Sequence, residues 1–115
     1  MFWRAAPLRY TPVMQLTFSG PLIEWRGPAP YYFVAVPPEQ ASQVREVARL
    51  LSYGWGVVPV RVQLGASVWT TSLFPRQGGY LVPVRAAVRR AEALHEGAEV
   101  TLSLGLGEAE PSQGT

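Results

Sequence analysis

The sequence predicts a mainly β fold with two short helices, in which two similar halves of one chain close into a barrel. The first observation is that short runs rich in β-branched and aromatic residues recur between turns that contain Gly or Pro. The second is a repeated order of elements: a strand, a Pro, a helix, a Gly turn and a strand. This order begins once at Phe33-Val-Ala-Val-Pro37 and again at Leu81-Val82-Pro83. Two interleaved halves would leave few strand edges exposed, so we expect a barrel and not an open sheet.

The first half begins with a strand over residues 14–18, where apolar and polar side chains alternate. Ser19-Gly20-Pro21 predicts a kink or bulge, after which the strand resumes over residues 22–25. The aromatic run over residues 31–36 predicts the next strand.

A helix follows at Pro37-Pro38-Glu39, because proline is tolerated in the first turn and Glu suits the positive end of the helix dipole. Gly54 or Gly56 is expected to end this helix. Apolar residues at spacings of three and four predict one buried stripe: Val44, Val47, Ala48 and Leu51.

Two strands, over residues 57–64 and 67–74, surround a turn at Gly65-Ala66. Gln77-Gly78-Gly79 predicts the following hairpin, because paired glycines adopt a positive φ at low cost. The remaining elements are a strand over residues 80–84, a helix from residue 85 to about 94, a turn at residues 95–97 and a strand over residues 98–106. Three residues of that helix are expected to face inward: Val88, Ala91 and Leu94.

The length and composition indicate one globular domain. The chain has 115 residues, of which 48% are hydrophobic and 16% charged, which is enough for one core and too apolar for a disordered protein. We divide the chain into an N-terminal extension (1–12), the barrel domain (13–106) and a disordered polar tail (107–115). No apolar run could cross a bilayer and no signal peptide is evident, so we expect a cytoplasmic protein without a membrane partner. Phe2 and Trp3 leave a homodimer as an option.

Missing residue types argue against most familiar enzymes. The chain has no Cys, Lys, Asp or Asn, and a single His, His95. Thiolate nucleophiles, Schiff bases and a Ser-His-Asp triad are therefore excluded. We expect a non-enzyme with no cofactor and no metal site. The net charge of only +2 makes the pI of about 9.4 a weak indicator of nucleic-acid binding.

Six short segments together resemble a known family. They are Val36-Pro37, Val60-Arg61-Val62 with Gly65, residues 69–75 (Trp-Thr-Thr-Ser-Leu-Phe-Pro), residues 78–84 (Gly-Gly-Tyr-Leu-Val-Pro-Val), the Arg-bearing residues 85–90, and Glu96-Gly97. Over about residues 15–106 this order resembles the bacterial and archaeal family called domain of unknown function 1905. The resemblance implies a double-split β-barrel, distantly similar to the AbrB and MazE transcription-factor superfamily, with both halves supplied by one chain. It implies no activity. Where the family commonly carries Lys and Asp, this chain has Arg85 and Ala98.

The first candidate site is a pocket for a small polar or anionic ligand. Trp69 would form its aromatic wall, the hydroxyls of Thr70 and Ser72 would bind the ligand, and Tyr80 or Arg61 would close the site. The same residues are also explained by a buried Trp and by hydroxyls that satisfy nearby backbone groups.

The second candidate site is a nucleic-acid surface made of Arg76, Arg85, Arg89 and Arg90, because guanidinium groups bind phosphates. The alternative is a solvated helix face on which these arginines pair with Glu92 and Glu96.

Aromatic residues offer a surface for single-stranded nucleic acid, although aromatics on barrel strands are more often core. They are Trp25, Tyr31, Tyr32, Tyr53 and Trp55. His95 beside Glu96 could form an acid–base pair, but its position in a turn favours exposure to solvent.

The first functional hypothesis is therefore an uncharacterised, non-enzymatic binding or interaction module. The alternatives are an AbrB-like nucleic-acid-binding regulator that uses the Arg surface, and a small-ligand-binding domain around residues 69–72.

Overall fold

A computed structural model describes residues 14–28, 31–50 and 58–107. In this part the chain forms seven strands and two helices; the sequence predicts the same order, except that it gives residues 14–25 as one kinked strand and not two. They are β1 (Met14–Pro21), β2 (Ile23–Trp25), β3 (Tyr31–Ala35), α1 (Pro38–Leu50), β4 (Val58–Leu64), β5 (Ser67–Arg76), β6 (Gly79–Pro83), α2 (Ala86–Ala91) and β7 (Glu99–Leu106). The predictions for the extension 1–12, the glycine that ends α1 and the tail after Gly107 lie outside the described residues.

The strands form one antiparallel sheet in the order β1-β7-β4-β5-β6-β3-β2. Its two outermost strands, β1 and β2, are consecutive in the chain and only Leu22 separates them. The backbone N–H of Leu22 donates to the carbonyl of Ala98 at 2.9 Å, and the carbonyl of Leu22 accepts from the N–H of Gly97 at 2.8 Å. The sheet therefore curls back toward itself as a half-barrel.

Strand β5 explains much of this curvature, because it has a different partner at each end. Its residues 67–73 pair with β4, whereas residues 74–76 pair with β6. The β1–β2 segment behaves in the same way: β1 pairs with β7 and β2 with β3. Two long segments thus join the two halves of the sheet.

The core lies on the inner face of the sheet, to which alternate strand residues point. Strand β4 shows the alternation along its whole length, and Leu102, Leu104 and Leu106 of β7 are fully buried. Burying one such side chain stabilises the fold by about 1.5–3 kcal/mol. Both helices add buried residues to the same cluster: Ala41, Val44, Val47 and Ala48 from α1, and Val88 from α2.

Helix α1 begins within one residue of the predicted position. Glu39 lies in its first turn and Arg49 in its last, an arrangement that complements the helix dipole. Three of the four predicted stripe residues are buried, and the fourth, Leu51, lies outside the described residues.

Helix α2 is shorter than predicted, because the chain leaves the right-handed helical conformation at Ala93, where φ is +55°. The N–H of Leu94 donates to the carbonyl of Arg89 at 2.8 Å, and the N–H of Ala93 to that of Arg90 at 3.2 Å. This pair of bonds is the Schellman arrangement that ends helices. The prediction that Ala91 faces inward is wrong: Ala91 is exposed, whereas Leu94 packs against the core.

Two turn predictions are also corrected. Strand β1 pairs with β7 without interruption as far as Pro21 opposite Glu99, so the break comes at Leu22 and not at residues 19–21. In the β5–β6 hairpin, the two residues with positive φ are Gln77 (+50°) and Gly78 (+81°). Gly79 is already the first residue of β6. Strand pairing sets both positions, and a short sequence motif does not contain that information.

Candidate functional site

The outer face of the sheet, formed by the strand residues that alternate with the core residues, is exposed to solvent along much of β1, β4, β5 and β7. On β1 and β7 this face carries paired hydroxyls. The Thr17 hydroxyl lies 3.1 Å from that of Ser103, and the Ser19 hydroxyl lies 2.7 Å from that of Thr101. These pairs face each other because the register places each Thr directly opposite a Ser.

The polar hollow is an open cavity of about 510 Å³ on the outer face, where β7, β4 and β5 run side by side. Arg61 lies on β4, opposite Thr70 of β5 and opposite Gly105 of β7. Gly105 adds no side chain to this part of the outer face. The residues that line the hollow are Pro59, Val60, Arg61, Thr70, Thr71, Ser72 and Gly105.

The structure brings together three of the five predicted ligand-binding residues. Arg61, Thr70 and Ser72 line the polar hollow, whereas Trp69 and Tyr80 belong to the core on the opposite side of the sheet. Successive strand residues point to opposite faces, so Trp69 cannot share a face with Thr70. The Trp69 side chain is only 7% exposed, and its Nε1 has no hydrogen-bond partner among the described residues. Period-two alternation, already visible in the sequence, could have separated the two sets.

The four predicted phosphate-binding arginines do not all point to one surface. Arg85, the N-cap of α2, donates from a guanidinium nitrogen to the carbonyl of Thr70 at 2.7 Å. The guanidinium carbon of Arg89 lies 3.7 Å from the ring centroid of Tyr32. Arg90 is exposed on α2, whereas Arg76 lies at the end of β5. With Arg76, whose guanidinium lies over the Trp25 ring, three of the four arginines are therefore engaged with the body of the domain.

The alternative, in which these arginines pair with Glu92 and Glu96, is wrong for both carboxylates. Glu92 accepts from the hydroxyl of Ser67 at 2.7 Å, which ties α2 to the start of β5. Glu96 accepts from Arg26 at 2.8 Å, and Arg26 also pairs with Glu24 at 3.1 Å. In the folded domain, both carboxylates accept hydrogen bonds from side chains that are distant in the sequence.

The aromatic cluster occupies the outer face at β2, β3 and the end of β5. Its members are Trp25, Tyr31, Phe33 and Phe74. The ring centroids of Trp25 and Tyr31 lie 6.5 Å apart, and those of Tyr31 and Phe33 lie 5.7 Å apart. The guanidinium carbon of Arg76 lies 5.1 Å from the centroid of Trp25. Trp25 is 41% exposed and Phe74 is 46% exposed. Beside them a shallow hollow of about 320 Å³ is lined in part by Trp25, Phe33 and Arg76.

This cluster corrects the core alternative for Trp25 and Tyr31. Trp25 is exposed and Tyr31 half-buried, and neither belongs to the core, whereas Tyr32 packs against it. Tyr53 and Trp55 lie outside the described residues. Phe74 was not among the predicted site residues, although it follows the buried Leu73 and so must point to the outer face.

Groups that could support metal binding or acid–base chemistry are sparse in the described ranges. No three His, Cys, Asp or Glu side chains come close enough there to hold a metal ion. His95 is exposed in the turn after α2, as the sequence predicts. No helix in those ranges combines the length and hydropathy needed to span a membrane.

The fold and the site together define a small, mainly β domain whose curled sheet has a packed inner face and an outer face with a polar hollow and an aromatic cluster. The profile of the family described as Domain of unknown function (DUF1905) matches residues 18–104. The chain belongs to that family, which confirms the resemblance drawn from its motifs. A search of curated proteins gave no match.

Proposed function

We propose that this chain is a non-catalytic binding module that holds a small anionic ligand in the polar hollow. The observation that carries this proposal is the position of Arg61, which lines the hollow together with the hydroxyl-bearing residues Thr70 and Ser72. A guanidinium can grip a carboxylate or phosphate through two parallel hydrogen bonds. Hydroxyls can donate to the remaining oxygens of the anion.

The position of Arg61 within the sheet also supports the proposal. Strand β4 lies between β7 and β5, so the backbone of Arg61 is paired on both sides. A side chain on such a strand is held more rigidly than one on a loop, and less conformational entropy is lost when it binds a ligand.

Binding is proposed in place of catalysis because of what the hollow contains. Its described lining holds a guanidinium, hydroxyls and apolar groups, with no carboxylate, imidazole or thiol. General base catalysis needs a group that can accept a proton near neutral pH, and neither a guanidinium nor an unactivated hydroxyl is suited to it.

The test is a thermal-shift screen of phosphate, sulfate, carboxylates and sugar phosphates, followed by calorimetry on the best ligand. At about 100 times its dissociation constant, a ligand should add about 2.7 kcal/mol of stability. Arg61→Gln should weaken binding about tenfold or more, because a hydrogen bond to a charged group contributes about 1.5–3 kcal/mol. Ser72→Ala should have a smaller effect in the same direction.

Arg49→Gln is the matched control, because Arg49 lies on α1 and pairs with Glu46, outside the polar hollow. This variant loses the same charge and should bind the ligand as the wild type does. Equal binding by the Arg61→Gln variant and the wild type would contradict the proposal, as would a screen in which no anion shifts the melting temperature.

We also propose that the curled sheet is a double-split β-barrel of two interleaved repeats, β3-α1-β4 and β6-α2-β7, distantly AbrB- and MazE-like. Supporting this, each strand of one repeat pairs with its counterpart in the other: β3 with β6, and β4 with β7. The first pairing is symmetric about Val34 opposite Val82, since Val36 donates to Tyr80 at 2.9 Å and Val84 donates to Tyr32 at 3.0 Å.

The regulator hypothesis, the homodimer and the cytoplasmic location stay predictions. The role of Arg85 and Arg89 in binding a duplex also stays a prediction; Arg85 donates to the carbonyl of Thr70, and Arg89 lies over the Tyr32 ring. Titration of duplex DNA at several salt concentrations would test the regulator hypothesis directly.

A further inference from the structure

We propose that the outer face binds single-stranded nucleic acid, with bases stacked on Trp25 and Phe74 and phosphates held by Arg61 and Arg76. This inference rests on the proposed function in one respect, since one phosphate would occupy the polar hollow beside Arg61. It goes further by assigning the aromatic cluster, which the small-ligand proposal does not use, and by naming the class of ligand.

The aromatic cluster offers flat apolar rings on a sheet surface that the described residues leave open. Trp25 and Phe74 expose 41% and 46% of their surfaces. Tyr31 lies beside Trp25 and Phe33 lies beside Tyr31, so the three rings form a row. Unpaired bases stack on such exposed aromatic rings, and each stacked base contributes substantially without regard to sequence.

The charge of the outer face matches a polyanion. Arg76 contacts the Trp25 ring, so a phosphate bound there would lie next to the stacked base. Among the described strand residues of this face, the one carboxylate is Glu99, at the first position of β7 opposite Pro21. The other described strand residues of this face are neutral or cationic.

Strand β5 connects the two parts of the proposed surface. Its successive outer-face residues are Thr70, Ser72, Phe74 and Arg76: two hydroxyls, a ring and a cation. From Thr70 to Arg76 the strand extends about 20 Å, the length of a short oligonucleotide. A duplex hides its base faces inside the helix, so stacking on Trp25 and Phe74 selects a single strand.

The experiment is a fluorescence-anisotropy titration of the full chain with labelled single-stranded DNA and RNA, and with a duplex of equal length, over a series of salt concentrations. The single strands should bind more tightly than the duplex. Two phosphate contacts predict a slope of log affinity against log salt of about −1.4, and Arg76→Gln should reduce it to about −0.7. Trp25→Ala and Phe74→Ala should each weaken binding by about 5- to 150-fold.

Leu50→Ala is the matched control, because Leu50 is an even more accessible apolar residue, 70% exposed, at the end of α1 and off the sheet. Circular dichroism of each variant separates a loss of binding from a loss of fold. Wild-type affinity in both aromatic variants would overturn the inference. So would sedimentation that shows a dimer which Trp25→Ala dissociates, since the aromatic cluster would then be a self-interface.

The two proposals fail separately. If inorganic phosphate binds in an Arg61-dependent way but no oligonucleotide does, the nucleic-acid surface is overturned and the proposed function stands. If small anions fail to bind while an oligonucleotide binds with the stated dependence on Trp25, Phe74 and Arg76, the nucleic-acid surface is supported and the small-ligand function is overturned.

Discussion

Replacing Ala93 by Gly is expected to stabilise this protein, although most substitutions destabilise. Ala93 has a φ of +55° and ends α2 through the Schellman hydrogen bonds of Leu94 and of Ala93 itself. In this left-handed conformation the Cβ atom crowds the following carbonyl, at a cost of about 1–2 kcal/mol. Glycine has no Cβ and removes that cost.

The gain is offset in part by the unfolded state. A glycine gives the unfolded chain more freedom, which costs the folded state about 0.4–1 kcal/mol. Ala93 is exposed, so its methyl group contributes no core contact. We therefore expect a net gain of about 0.5–1 kcal/mol, which for a domain of roughly this size raises the melting temperature by about 2–6 °C. Reversible thermal unfolding followed by circular dichroism measures the shift.

Ala87→Gly is the control, because it makes the same chemical change at an exposed position inside α2. Here the backbone is helical and glycine should cost about 1 kcal/mol. The two variants must therefore shift the melting temperature in opposite directions. A melting temperature for Ala93→Gly at or below that of the wild type would refute the reasoning.

Two further variants test the packing of the domain. Gly65→Ala should destabilise by about 1–2 kcal/mol, because Gly65 has a φ of +61° and a Cβ there would also collide with the Glu92 carboxylate that holds Ser67. Urea unfolding measures this, and a wild-type midpoint would show that neither effect matters. Leu102→Ala should cost about 2–5 kcal/mol, since Leu102 is fully buried in the core. Leu50→Ala, at an exposed site, should stay within about 0.5 kcal/mol of the wild type, and similar losses for the two Leu variants would contradict the assigned core.

The sequence predicted the order of the described elements apart from the division between β1 and β2, because strands and helices leave different periods in a chain. Alternation along residues 58–64 predicted a buried face that the structure contains. Spacings of three and four did the same for Val44 and Val47 of α1. These patterns depend on residues two to four positions apart, and each segment can be interpreted without knowing what packs against it.

Element ends were harder to predict. Helix α2 stops at Ala93 and the β5–β6 turn contains Gln77. Both are non-glycine residues with a positive φ. Local propensity favours glycine there, and a nearby glycine was available at Gly97 and at Gly79. The positions were set by the hydrogen bonds that the neighbouring elements had to make, which outweighed the local preference.

The candidate site belongs almost wholly to the tertiary structure. Arg61, Thr70 and Gly105 come together only because β4 pairs with both β5 and β7, and the second of these pairings joins residues far apart in the chain. The sequence grouped Trp69 with Thr70 because they are adjacent, whereas the pleat of β5 sends them to opposite faces. The alternation of residues along one strand fixes which of them share a face. Which residues of other strands lie beside them depends on long-range strand pairing. The register of that pairing is decided only when the whole sheet forms.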